Sequence, residues 1–181
     1  MPEDQRNGSE RLVGSDLVLL LLRAPTHDKK SVDRIQGITR LEKLLYLAGE
    51  ETRISSNVDE GFQFHAYNYG PYSRDVYEAV DLLEEAGLLS EERVFEGTAL
   101  DEEEEIAAVL SEREGVERRF ALTEDGKAVA NLLAGQHSDV MQAITEIKDK
   151  YGGMSLRQLL RYVYTRYPQT AVHSVIRDRV L

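Results

Sequence analysis

The sequence predicts a mainly helical α+β domain in which three helices are followed by a β-hairpin and then by further helices. Three observations support this class. Apolar residues recur at helical spacing in several segments, two central segments alternate apolar and polar residues as half-buried strands do, and a glycine separates the third helix from the first of those strands. Elements in this order can bury their apolar faces in one shared core.

The first two helices are marked by apolar runs with clear boundaries. The first is predicted from Ser15 to Arg23, because Ser15 and Asp16 are good residues for a helix start and Pro25 prevents its continuation. Its unbroken leucine and valine content indicates burial on most sides. The second is predicted over residues 37–51, where apolar side chains follow helical spacing. These side chains are Ile38, Leu41, Leu44, Leu45 and Ala48.

A loop, a short strand and the third helix are predicted next. Residues 53–60 have the composition of a loop, whereas residues 62–70 alternate apolar and polar side chains before the turn pair Gly70-Pro71, which indicates a strand. Ser73 is placed to cap the third helix, and Gly87 is placed to end it.

Two strands are predicted after the third helix, over residues 88–95 and 116–126. A hairpin that follows three helices in this way is typical of a winged helix, so we predict a winged-helix-like core; a small α+β domain without a wing is the alternative. Alternate apolar residues of the hairpin are expected to pack against the three helices. These residues are Leu89, Val94, Phe120 and Leu122.

The remaining sequence predicts additional C-terminal helices. A fourth helix is predicted from Lys127 to Leu133 and a fifth from Ser138 to Lys150. A sixth is expected to be capped by Ser155 and ended by Pro168.

The whole chain is expected to form one domain with three parts. Residues 1–14 are predicted to be a flexible N-terminal tail, and residues 15–134 the winged-helix-like core. An acidic insertion interrupts this core at residues 98–115 and includes a predicted short helix at 102–110. Residues 135–181 are predicted to be a C-terminal helical extension of the same domain.

Charge is distributed unevenly and bears on the kind of partner. The net charge is −11, and between Glu91 and Asp125 thirteen acidic residues stand against four basic ones. The third helix carries five acids against Arg74, whereas a helix that reads the DNA major groove normally presents Arg, Lys, Asn or Gln. Such a helix would repel phosphate, which favours a protein partner. The alternative is that arginines of the hairpin and the C-terminal helix contact nucleic acid. A third interpretation is that these arginines only form a solvated helix face. These arginines are Arg93, Arg118, Arg119, Arg157 and Arg161.

Several function classes lose support on composition and motifs. Cysteine is absent, which excludes disulfides and thiolate zinc sites and suits the reducing cytoplasm. No apolar run is long enough for a membrane span, the first ten residues do not resemble a secretory signal, and the usual hydrolase, P-loop and dinucleotide motifs are missing. The acidic run 101–105 is interpreted as a solvated stretch rather than a metal site. We therefore expect no catalysis, no cofactor and no membrane association, and the histidines lack metal-binding spacing. They are His27, His65, His137 and His173.

A cluster of aromatic residues surrounds the Gly70-Pro71 turn. Tyrosine supplies a large contact area at low side-chain entropy, so such a cluster suits a protein-binding surface. The other interpretation is that these rings, with Phe62 and Phe64, belong mainly to the core. The predicted protein-binding residues are Tyr67, Tyr69, Tyr72, Arg74 and Tyr77.

Four segments together resemble a known family. ITRLEKLLYLAGE, FQFHAYNYGPYSRDVY, LLEEAGLL and SLRQLLRYVYTRYP are similar to the Panacea or SocA-like antitoxin domain, formerly a domain of unknown function, and to related uncharacterised YwgA-like proteins. The likeness spans most of residues 15–168 and is sharpest in KLLYLA followed by AYNYGPYSRDVY. The resemblance implies a small helical domain that neutralises a toxin by binding it, or an adaptor that delivers a client to a protease.

The sequence thus predicts a non-catalytic regulatory protein-binding domain of antitoxin or proteolytic-adaptor type, whose partner is a toxin or a protease client. A winged-helix DNA-binding transcriptional regulator is the alternative. A homodimer through the C-terminal helix is also open, because arginines beside its apolar stripe are suited to meet the acidic segment of a second chain.

Overall fold

The computed structural model describes residues 11–26, 33–95 and 116–181. Within these ranges the chain is mainly helical with small sheets, which confirms the predicted α+β class. The helices are α1 (Gly14–Arg23), α2 (Ile38–Glu51), α3 (Arg74–Glu85), α4 (Glu124–Gln136), α5 (Ser138–Tyr151), α6 (Leu156–Arg166) and α7 (Arg177–Val180), with 3-10 helices at Ile54–Asn57 and Pro168–Ala171. The strands are β1 (Leu12–Val13), β2 (Arg34–Gln36), β3 (Val58–Glu60), β4 (His65–Tyr67), β5 (Gly70–Tyr72), β6 (Leu89–Phe95) and β7 (Val116–Leu122).

Helix α1 is the centre of the core. All six residues from Leu17 to Leu22 are buried, as the unbroken apolar run predicts, because α1 packs against α3, α4, α5 and strand β7 at once. The C-terminal helices α5 and α6 also pack on α2, so their buried side chains belong to the same core as the first three helices.

The hairpin after α3 is formed as predicted. Strands β6 and β7 pair antiparallel from Leu89 opposite Leu122 to Phe95 opposite Val116. Leu89, Phe120 and Leu122 are buried. Val94 is five residues from Leu89, an odd number, so it faces the other side of the ribbon and is only half-buried. Placing Val94 in the core was therefore wrong, whereas the winged-helix interpretation of these elements stays a prediction.

Four short strands, β1, β2, β3 and β5, lie where no strand is predicted. Strand β2, between α1 and α2, pairs antiparallel with β7 and places Ile35 opposite Phe120 in the core. Strand β5 follows β4 and makes the predicted single strand a hairpin, and the predicted loop at 53–60 contains a 3-10 helix and β3.

The predicted tail, residues 1–14, extends too far. Leu12 pairs with Val58 in the parallel β1–β3 pair, and its side chain is 1% exposed. Because this apolar side chain is buried in the core, residues 12–14 are not part of a flexible tail. Residues 1–10 lie outside the described residues, as do the acidic insertion at 98–115 and its short helix at 102–110.

Helix α4 begins three residues earlier than predicted, because Thr123 caps it. The Thr123 hydroxyl accepts a hydrogen bond from the Gly126 N–H at 3.0 Å and donates one to the Gly87 carbonyl at 2.7 Å. One side chain thus caps α4 and ties it to the end of α3.

A carboxylate at the end of α2 holds the C-terminal helices in place. Glu51 accepts hydrogen bonds from the hydroxyls of Tyr151 at 2.5 Å and Tyr162 at 2.7 Å, and Lys150 lies 3.3 Å away. Partial burial alone would raise the pKa of Glu51, but the hydrogen bonds from these three side chains outweigh burial and lower it. Glu51 is therefore an ionised link between α2, α5 and α6.

A buried lysine closes the C-terminal end of α1. Lys148, on α5, is 1% exposed, and its ammonium donates to the carbonyls of Leu22 at 2.7 Å and Ala24 at 2.8 Å. Leu22 is in the last turn of α1, where carbonyls have no partner within the helix, and Ala24 is its C-cap residue, so the lysine acts as a cap from another element. Burial lowers the pKa of Lys148 to about 8.

This lowered pKa makes a contribution to stability that depends on pH. Above about pH 8 the folded chain releases the Lys148 proton while the unfolded chain keeps it, so stability rises with pH there. Relative to Lys148→Met, the wild type should gain about 2 kcal/mol in free energy of unfolding between about pH 7 and about pH 9.5. Urea denaturation of both proteins across this range measures the difference, and a constant difference would contradict the prediction.

Candidate protein-docking surface

The β4–β5 hairpin and the start of α3 gather four aromatic side chains on the surface. His65 lies opposite Tyr72 in the hairpin, and Tyr67 is two residues from His65, so the three side chains share one face. Ring centroids are 5.3 Å apart for His65–Tyr72, 5.1 Å for Tyr67–Tyr72 and 5.6 Å for Tyr72–Tyr77. We call His65, Tyr67, Tyr72 and Tyr77 the aromatic patch.

The aromatic patch is accessible to a partner. Tyr67 is 45% exposed, His65 is exposed, and Tyr72 and Tyr77 are half-buried. The His65 ring contacts the rings of Tyr67 and Tyr72. Rings that support one another in this way have few alternative positions, so a partner that binds them loses little side-chain freedom.

A buried ion pair supports the aromatic patch from below. Glu42 and Lys43, on α2, are 3% and 1% exposed. The Lys43 ammonium donates to the Pro71 carbonyl at 2.9 Å and to Glu42 at 3.3 Å, while the other Glu42 oxygen accepts from the Ser73 N–H at 3.1 Å. Burial lowers the pKa of Lys43, and Glu42 offsets that only in part. The pair fixes β5 and the start of α3 relative to α2.

Sequence reasoning missed this pair, although a signal for it exists. Glu42 lies four residues after Ile38 and three before Leu45, which puts it on the buried stripe of α2. Ser73 is the N-cap residue of α3 as predicted, but its side chain makes no capping hydrogen bond to the helix. The carboxylate that binds its N–H comes from α2 instead.

Gly70 permits the hairpin to approach α6 closely. Its φ is +90°, which favours glycine, and a Cβ there would lie 2.7 Å from the Tyr164 ring. Tyr164 is buried, and burial raises its pKa to about 12. The Gly-Pro turn therefore presses the hairpin against the helical core.

The cleft between the tyrosines and α2 is small. Its volume of about 10 Å³ has room for about one water molecule. The arrangement thus suits contact across a surface rather than enclosure of a small molecule. The cleft is lined by Thr39, Glu42, Lys43, Tyr67, Tyr69, Tyr72 and Tyr77.

The structure brings four of the five predicted protein-binding residues together around this cleft. The fifth, Arg74, lies on the exposed side of α3 and forms an ion pair with Glu78 at 2.8 Å. The five acidic residues of α3 are all exposed, and the apolar Leu82 beside them is 58% exposed. We call this surface the acidic face of α3; its acids are Asp75, Glu78, Asp81, Glu84 and Glu85.

The arginines considered for nucleic-acid contact do not form one surface. Arg93 and Arg118 both bind Glu91, at 2.8 Å and 2.6 Å, and the Glu91 side chain is 2% exposed. Burial alone would raise the pKa of Glu91, but the hydrogen bonds from Arg118 and Arg93 outweigh burial and lower it. Because Glu91 is ionised, it compensates part of their charge.

The other arginines of this group point elsewhere or lie on another element. Arg119 follows Arg118 in β7 and so faces the opposite side of the ribbon. Arg157 and Arg161 are on α6, where Arg157 is half-buried and Arg161 exposed.

Fold and surface together define a mainly helical α+β protein that presents an aromatic patch beside an acidic helix. Comparison with protein-family models gives no match, and neither does comparison with curated proteins. Among the described residues, none of the helices has the length and apolar content to cross a bilayer, and no three histidine or acidic side chains are arranged for a metal ion.

Proposed function

We propose that this protein is a non-catalytic regulatory domain that binds another protein through the aromatic patch, in the manner of an antitoxin or a proteolytic adaptor. The observation that carries the proposal is the partial exposure of tyrosine rings on a fixed support. Tyr67 is 45% exposed, while the residues beneath the patch, Glu42 and Lys43, are almost fully buried. Tyrosines held in this way are typical anchors of protein interfaces.

The distribution of charge favours a protein over DNA as the partner. Five exposed acids lie on α3 against the single Arg74, and a phosphate backbone would be repelled there. The alternative, a winged-helix transcriptional regulator, would have to rely on hairpin arginines of which two already share Glu91. With no cysteine in the chain, action in the reducing cytoplasm is part of the proposal.

Co-expression with the protein encoded by the adjacent gene tests the proposal. We expect the two proteins to co-purify, and we expect Tyr67→Ala with Tyr72→Ala to weaken the complex by about tenfold or more, because central tyrosines are common hot spots. Titration calorimetry of the purified pair measures the dissociation constant.

Leu132→Ala is the matched control. Leu132 is an exposed apolar residue, 68% exposed, on α4, and its truncation should leave the dissociation constant unchanged. Unchanged affinity in the tyrosine double variant would reject the aromatic patch as the docking surface. Salt-sensitive binding of the wild type to its own promoter fragment, together with no protein partner, would favour the transcriptional regulator instead.

A further inference from the structure

The aromatic patch continues into a second group of exposed apolar side chains. The Val175 N–H donates to the Asn68 carbonyl at 2.9 Å, which places the C-terminal segment beside the turn that follows Tyr67. Val172 is 58% exposed and Val175 is 65% exposed, and the 3-10 helix before them packs on β4 and β5. Exposed apolar surface next to exposed tyrosine is a feature of interaction sites.

Opposite charges flank this combined surface on its two sides. Tyr77 lies on α3 one turn before the exposed Asp81, so this acid adjoins the aromatic end, 3.8 Å from Arg118. Exposed Glu78, which binds Arg74, follows Tyr77 on the same helix. Exposed Arg177 follows Val175 by two residues and adjoins the apolar end. A second exposed arginine, Arg179, lies on the same short helix and leaves the C-terminal flank basic although Asp178 stands between the two arginines.

We propose that this surface binds a second copy of the same chain in a two-fold symmetric dimer. In such a dimer the same surface packs against itself, and each residue meets its counterpart across the axis. An axis through the combined aromatic and apolar surface places the acidic flank of each copy against the basic flank of the other. The charges are thus complementary at both symmetric contacts, whereas a surface with charges of only one sign would repel its own copy.

The dimer has a consequence for the proposed function, although it does not depend on it. A second copy covers Tyr67 and Tyr72, so any other protein that binds the aromatic patch competes with self-association. The dimer therefore regulates access to the docking surface by mass action.

Charge reversal in two separate variants tests the dimer with the purified chain alone. Variant A carries Glu78→Lys and Asp81→Lys, and variant B carries Arg177→Glu and Arg179→Glu. In a dimer of either variant with itself, flanks of the same charge face each other at both symmetric contacts. We therefore expect the dissociation constant of the dimer to rise by about tenfold or more for each variant. Sedimentation equilibrium from about 1 to about 100 μM measures it.

Mixing the two variants is the decisive measurement. In a dimer of one copy of each variant, the lysines of variant A face the glutamates of variant B at one contact. At the other contact the native basic flank of variant A faces the native acidic flank of variant B, so both contacts are attractive again. We expect the mixture to dimerise about as tightly as the wild type, which nonspecific association of an acidic protein would not do. Circular dichroism establishes that both variants fold.

Two results would overturn the inference. One is a wild type that stays monomeric throughout the concentration range, and the other is a mixture that dimerises no better than the separate variants. Either result leaves the proposed function standing, because the aromatic patch then serves a different protein. Unchanged partner binding in the tyrosine double variant, by contrast, would reject the proposed function and leave the dimer standing.

Discussion

Gly126→Ala is expected to lower the free energy of unfolding by about 3 kcal/mol, because the added methyl group has no room. A Cβ at Gly126 would lie 1.9 Å from the Leu88 carbonyl oxygen, which is backbone. That carbonyl also accepts a hydrogen bond from the Thr123 N–H at 3.2 Å, so it cannot move away without breaking the junction of α3, β7 and α4. Urea denaturation measures the loss.

Gly135→Ala is the matched control in the same helix. Apart from its chain neighbours and the backbone of its own helix, no atom of the described residues lies within 4 Å of a Cβ at this position, so the substitution adds helix propensity without a clash. We expect it to stabilise the protein by up to about 1 kcal/mol. The two substitutions are chemically identical and should have opposite signs; a loss below about 1 kcal/mol at Gly126 would show that α4 can shift away from Leu88.

The same junction shows what local sequence can predict. The hairpin was predictable because the alternation of buried Leu89, Phe120 and Leu122 has the period of a strand. The start of α4 was misplaced because Thr123 was assigned to the strand before it, although a threonine followed by Glu124 and Asp125 is a helix-start signal. Strand β2 was missed because three residues with one buried side chain, Ile35, show no pattern, and its pairing with β7 is a long-range contact.

The aromatic patch was predictable for a similar reason. Its tyrosines are close in sequence, so a turn and a helix start are enough to bring Tyr67, Tyr72 and Tyr77 together. The support beneath them was not predictable, since Lys43 reaches Pro71 only after α2 packs against β5. Glu91 likewise reads as one more acid of an acidic region, and only strand pairing shows that it binds Arg118.

Lys43→Met is expected to lower the free energy of unfolding by about 3–5 kcal/mol, because it leaves the Glu42 carboxylate buried without its cation. The Pro71 carbonyl loses its hydrogen bond as well. Since this lysine fixes the β4–β5 hairpin, we also expect the aromatic patch to lose order. Urea denaturation measures stability, and the tyrosine ring signals in NMR spectra report the state of the patch.

Glu42→Gln combined with Lys43→Met separates the ion pair from the support that it provides. A neutral glutamine can still accept the Ser73 N–H, and no charge remains buried, so the double variant should lie within about 2 kcal/mol of the wild type. If Lys43→Met alone costs less than about 1 kcal/mol, Glu42 becomes protonated or hydrated at little cost, and the ion pair does not hold the patch. If the double variant is stable but no longer binds its partner, the charges serve to fix the tyrosines for binding rather than to stabilise the fold.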